Sequence, residues 1–270
     1  MAGEGNFGVS GDVFLAFAVC TGAALATVIG SVTLVGAKAE NPRLLAFGLA
    51  FAAGAMIYVS LVEIFFKSVL AYTEVYGDKD GYRNATLAFF CGVGLLVALD
   101  RFLPNPHGTL DHHEAEVDKQ IHLKRVGLMA AIAITAHNVP EGMATFFATL
   151  DDPVVGLPLG LAIAVHNIPE GVSIAIPVYY ATGSRKAAFG AVAISAMAEP
   201  LGAAVGYAVL APFLSQAVYG GVFGVIAGAM VFLSLDELWP AAKRYSTGHE
   251  TTYGLIAGMA ALALSLVLFK

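Results

Sequence analysis

Eight apolar stretches, each about as long as a bilayer is thick, set the limits on what this chain can fold into. They run roughly from Asp12 to Val35, Leu44 to Tyr72, Asn84 to Leu103, Val126 to Leu150, Val154 to Ala181, Lys186 to Ala211, Gln216 to Trp239 and Thr251 to Phe269. A helix needs about 20 mostly apolar residues to cross about 30 Å of hydrocarbon, and in lipid only helices and closed barrels keep every backbone group bonded. Of the 270 residues, 58% are hydrophobic and 13% charged, against about 45–50% and about 25% in an ordinary soluble domain. A soluble fold could not cover itself with so few charges. The 30 glycines are scattered through apolar runs, where small residues let membrane helices approach closely. The chain is therefore expected to be an all-α polytopic membrane protein, a single transmembrane domain over residues 1–270.

The connections are short, as in Asp151-Asp152-Pro153 and Thr182-Gly183-Ser184-Arg185, so neighbouring spans should run antiparallel. Only residues 104–124, between spans 3 and 4, form a sizeable variable loop. Eight spans place both termini on one side, and the basic residues say which. Lys38, Arg43, Arg101, Lys119, Lys124, Arg125, Arg185, Lys186, Lys243 and Arg244 follow odd-numbered spans, whereas Lys67, Lys79, Arg83 and Lys270 fall on the other side. By the positive-inside rule the termini are extracytoplasmic and the 104–124 loop cytoplasmic. The first twelve residues hold no Lys or Arg, so the basic region of a cleavable signal peptide is missing and the N-terminus is read as mature. A net charge of −6 leaves no basic surface for nucleic acid. Cys20 and Cys91 both lie in apolar runs and read as packing residues rather than a disulfide or metal pair.

Two internal repeats stand out. His137-Asn138-Val139-Pro140-Glu141-Gly142 in span 4 recurs as His166-Asn167-Ile168-Pro169-Glu170-Gly171 in span 5, and AGAMIYVSLVEI, Ala53 to Ile64 in span 2, resembles AGAMVFLSLDEL, Ala227 to Leu238 in span 7. In each pair the copies cross the membrane in opposite directions. The pairing suggests a 3+2+3 arrangement in which spans 1–3 and 6–8 are inverted copies around a central pair, a pattern found in transporters.

His137, His166 and Glu199 fall near the middle of their spans, at about 1.5 Å of helix per residue. An ionisable group there costs about 2.5–3.5 kcal/mol on insertion scales, and such groups face a cavity or a partner. Glu141, Glu170 and Glu199 would repel one another if ionised and dry; a divalent cation resolves the conflict. Within each hexapeptide the His and Glu are four apart and the Asn and Glu three apart, so all three project from about one helix face. Pro140 and Pro169 each remove an amide donor one turn above free carbonyls, which suggests kinked spans lining a cavity. Imidazole with carboxylate suits Zn²⁺ first, with Fe²⁺, Co²⁺ and Mn²⁺ as further cargo, and the absence of a Cys or Met cluster argues against Cu(I).

At these residues the chain resembles the ZIP family of divalent-metal transporters, most closely its bacterial ZupT-like branch. The doubled HNxPEG motif carries the likeness, supported by Ala198-Glu199-Pro200, the PVYYATGSR segment and Ser234 to Pro240. The resemblance implies a binuclear site for transported metal, with no resident cofactor and no catalytic residue. One ion would be held by His137, Glu141, His166 and Glu170, and a second by Asn138, Glu141, Asn167, Glu170 and Glu199. It also implies uptake into the cytoplasm across a bacterial inner membrane, for Zn²⁺ and also Fe²⁺, Mn²⁺, Co²⁺ and Cd²⁺, through a site between spans 2, 4, 5, 6 and 7, with a homodimer as the assembly. No ATP-binding motif is present, so transport is expected to be secondary or facilitated.

Ser60 with Glu63, near the outer end of span 2, reads as an entry guide, and Ser234 with Asp236 or Glu237, near the inner end of span 7, as its exit counterpart. His107, His112, His113 and His122 make the 3–4 loop a candidate metal sink or a plain solvated linker. Two other classes compete. An intramembrane metal-dependent hydrolase would need an open coordination position, and no HExxH occurs; a non-transporting metal sensor would have little use for inverted repeats.

Overall fold

The computed structural model describes residues 12–32, 42–101, 135 and 138–269. Its helices are α1 (Val13–Val32), α2 (Pro42–Val59, a π turn Ser60–Ile64, then Phe65–Tyr76), α3 (Asp78–Asp100), α4 (138–151), α5 (Pro153–Thr182), α6 (Arg185–Leu210), α7 (Gln216–Leu233, a π turn Ser234–Leu238, then Trp239–Tyr245) and α8 (Glu250–Phe269). Among the described residues seven helices are long and apolar enough to cross a membrane. The fourth expected span is described chiefly in its second half, α4. The 104–124 loop, with its four histidines, and His137 lie outside the described residues.

Short polar turns reverse the chain. Asp152 caps α5 by accepting from the Val154 amide at 2.9 Å, with Pro153 pre-set for the first turn. At the other end Gly183 takes a left-handed conformation, φ 65°, and Ser184 at once caps α6 through the Ala187 amide at 3.2 Å. One boundary differs from expectation. Instead of a loop from 73 to 83, Gly77 alone separates α2 from α3, at φ 79°. The charges of this segment lie inside the helix: Asp78 and Asp80 complement the N-terminal dipole of α3, and Asp80 pairs with Arg83 at 2.8 Å.

The prolines do not end the helices. α5 runs unbroken through Pro158, Pro169 and Pro177, and α6 through Pro200, since a proline removes only its own donor and packed neighbours hold the rest. Backbone irregularity appears instead as the π turns of α2 and α7, at matching places in the repeated segments. In each a serine donates to the carbonyl one turn back, Ser60 to Met56 at 2.6 Å and Ser234 to Met230 at 2.7 Å.

Helices α1, α4, α5 and α6 pack into one group and α2, α3, α7 and α8 into another, with α5 lying against α2 and α8. Glycines set the closest approaches. A Cβ on Gly30 of α1 would strike the Ile168 carbonyl of α5, and one on Gly171 of α5 the Thr27 carbonyl of α1. The same spacing recurs between α6 and α4, where Gly202 faces Val139 and Gly142 faces the Glu199 carbonyl. Cys20 packs as expected, its thiol 3.6 Å from the Gly142 carbonyl. Cys91 does not: it lies on the exposed flank of α3, where it fills no internal space.

Candidate metal centre

The close α1–α5 and α4–α6 contacts press the two hexapeptides into one buried constellation. Asn138, Glu141, His166, Asn167, Glu170 and Glu199 are all buried, none more than 3% exposed. His166 Nε2 stands 3.3 Å from Glu141 Oε1, joining consecutive helices. One donor atom each from Glu141, His166 and Glu170 lies within 4.8 Å of the others. Glu199 lies within electrostatic reach of Glu141 and Glu170.

The asparagines tie the cluster to its flanking helices. Asn138 Nδ2 donates to the Ser195 carbonyl of α6 at 3.0 Å and to its hydroxyl at 3.3 Å. Asn167 Nδ2 donates to the Ala23 carbonyl of α1 at 3.0 Å and to Glu199 Oε1 at 2.7 Å. Each side-chain amide thus spends N–H groups on neighbours, while its oxygen has no hydrogen-bond partner. Asn138 Oδ1, Glu141 Oε2, His166 Nδ1, Asn167 Oδ1, Glu170 Oε1 and Glu199 Oε2 have no hydrogen-bond partner. Buried polar atoms are almost always satisfied. Five orphaned oxygens and a ring nitrogen in one apolar interior form an electron-rich pocket whose chemistry suits a divalent cation.

His166 also borders a cavity of about 40 Å³ between α5, α2 and α8, lined by Phe51, Ala55, Val165, Ala261 and Ser265. Ser60 and Ser234 are buried, Glu63 is 4% exposed, and Asp236 and Glu237 are partly exposed. These five pathway positions stand on α2 and α7, and none belongs to the cluster of donor atoms.

Residues 103–266 match the family model described as ZIP Zinc transporter. The chain is 59% identical to the zinc transporter ZupT of Xanthomonas axonopodis pv. citri, over 97% of each protein. The chain belongs to the ZIP family of zinc transporters. Other ZIP relatives are the zinc transporter ZupT of Neisseria meningitidis serogroup B, 61% identical over 96% of this chain and 97% of that protein, and that of Oceanobacillus iheyensis, 49% identical over 95% and 98%. A ZIP protein is an integral membrane transporter and not an enzyme.

In this ZIP chain two participants escaped the sequence reading. Ser195 and the Ala23 carbonyl anchor the asparagines, yet a serine or alanine in an apolar helix has no spacing signature. Only the helix contacts identify them.

Proposed function

We propose that this chain imports divalent transition-metal ions into the cytoplasm, Zn²⁺ first and also Fe²⁺, Mn²⁺, Co²⁺ and Cd²⁺, by secondary or facilitated transport. The observation that carries the reading is the meeting of Glu141, His166 and Glu170 within 4.8 Å in the buried middle of adjacent helices. Zinc holds nitrogen and carboxylate oxygen at about 2.0–2.2 Å, so two donors on one tetrahedral ion stand about 3.4 Å apart. The His166–Glu141 separation of 3.3 Å already matches. His137, Glu141, His166 and Glu170 would hold one ion. Asn138, Glu141, Asn167, Glu170 and Glu199 would hold a second, with Glu141 and Glu170 bridging.

Inverted 3+2+3 symmetry is supported by contacts that recur in matching register. Beside the α1–α5 and α6–α4 pairs, Gly54 of α2 abuts the Leu255 carbonyl of α8 just as Gly228 of α7 abuts the Phe89 carbonyl of α3. Such symmetry lets one chain take two related conformations that open to opposite sides. Ser60 and Glu63 then guide metal in, and Ser234 with Asp236 or Glu237 guides it out. The positive-inside count supports extracytoplasmic termini in a bacterial inner membrane, with 104–124 as a cytoplasmic loop and a second copy of the chain as the assembly partner.

Flux into proteoliposomes tests the reading. Saturable Zn²⁺ entry should be competed by the other four ions and lost in His166→Ala and Glu170→Gln; entry that survives both substitutions rejects it.

A further inference from the structure

One buried hydroxyl beside the cluster is unexplained by packing. The helical hydroxyls of Ser60, Thr145, Thr149 and Ser234 each donate to the carbonyl one turn back. Thr27 of α1 does not. It is fully buried and its Oγ1 has no partner, because the carbonyl it would use, that of Ala23, already accepts Asn167 Nδ2. The binding constellation has therefore taken this hydroxyl's ordinary acceptor and left the hydroxyl over, a cost that a folded interior rarely tolerates.

The placement of Thr27 is specific. Ala23 and Thr27 are one turn apart and share a face of α1. That face meets α5 at Asn167 through Ala23 and at Gly171, next to Glu170, through the Thr27 backbone. On α6 the corresponding face meets α4 at Asn138 through Ser195 and at Gly142, next to Glu141, through the backbone of Glu199. Register for register, Ala23 corresponds to Ser195, and Thr27 to Glu199. In this register Thr27 holds on α1 the place that Glu199 holds on α6.

We infer that the Thr27 hydroxyl is a further oxygen donor of the metal site, a neutral counterpart of Glu199 that completes the second ion's coordination from α1. This rests on the binuclear reading above and extends it to a helix that carries no hexapeptide. A hydroxyl suits the role, since oxygen donors without charge are ordinary ligands of hard and borderline cations.

The test is calorimetric titration of Zn²⁺ into the purified full-length protein, comparing Thr27→Val, which keeps the shape, with Thr27→Ser, which keeps the hydroxyl. Thermal melting of each metal-free variant checks the fold, and Glu170→Gln serves as the site control. Two equivalents are expected in the unaltered protein. In Thr27→Val the weaker should lose about tenfold in affinity, the lower end for a lost supporting group, while the tighter is unchanged and Thr27→Ser restores both. A Thr27→Val isotherm identical to the unaltered one overturns the inference, as do equal losses in both variants accompanied by lower melting, or a single equivalent in the unaltered protein. If Glu170→Gln binds as well as the unaltered chain, the metal site itself fails and the inference falls with it, an outcome distinct from a failure of Thr27 alone.

Discussion

Lys67 and Asp151 form an ion pair at 3.2 Å that joins α2 to the last residue of α4. The ammonium also lies 5.4 Å from the centre of the Phe223 ring on α7. This contact ties α2 and α7 to the junction of α4 and α5. It has no equivalent at the matching position of the repeat, where Lys67 corresponds to Ala241. With the two side chains only 10% and 28% exposed, the pair is less screened than a surface bridge. Lys67→Ala and Asp151→Ala should each lower thermal stability, and a double-mutant cycle should return a coupling of about 1 kcal/mol, the upper range for exposed pairs. Strictly additive single effects would show that the contact contributes nothing.

Removing a carboxylate from the cluster should act on binding more than on folding. Glu141, Glu170 and Glu199 leave buried acceptors unsatisfied without an ion, so Glu→Gln keeps the volume and relieves mutual repulsion. Glu170→Gln is expected to melt no lower than the unaltered protein in the absence of metal, while losing at least about tenfold in Zn²⁺ affinity. Melting curves with and without metal separate the two effects: the metal-induced rise in midpoint should vanish in the variant.

Acid should weaken metal binding. Ligation requires a neutral imidazole and ionised carboxylates, so each bound proton competes with the ion. Zn²⁺ affinity should therefore fall as the pH drops below neutrality. Binding isotherms at a series of pH values check this, and an affinity that is level from pH 7.5 to 5 would contradict it.

How much of this was legible beforehand differs by level. The hydrophobic runs located the helices, and the hexapeptides located Glu141, His166 and Glu170, because ionisable groups at mid-membrane and a repeated spacing are both visible in one dimension. Glu199 was singled out by its depth and by the resemblance at Ala198-Glu199-Pro200. Thr27 and Ser195 were not found: a single hydroxyl in an apolar helix is ordinary, and its meaning comes from what lies across the helix interface. The single-residue Gly77 junction was missed because the apolar runs alone set the expected span ends, whereas charges also populate helix ends at the lipid headgroups. The π turns of α2 and α7 have no composition signal, yet both fall on the one repeated segment outside the hexapeptides.

The glycines offer a test of the helix contacts themselves, because some are pressed against backbone and others face open space. A Cβ at Gly142 would strike the Glu199 carbonyl and one at Gly171 the Thr27 carbonyl, neither of which can move without shifting a helix that holds the site. Gly22 and Gly190 have nothing within 4 Å. Gly142→Ala and Gly171→Ala should each destabilise by about 1–3 kcal/mol, the ordinary cost of overpacking, and should also weaken Zn²⁺ binding because Glu141 and Glu170 are the adjacent residues. Gly22→Ala and Gly190→Ala should be neutral or stabilising by up to about 1 kcal/mol, since alanine is the better helix former. Thermal melting and metal titration of the four variants decide the matter: if all four behave alike, α1–α5 and α4–α6 do not pack as closely as described, and the register that pairs Thr27 with Glu199 is wrong.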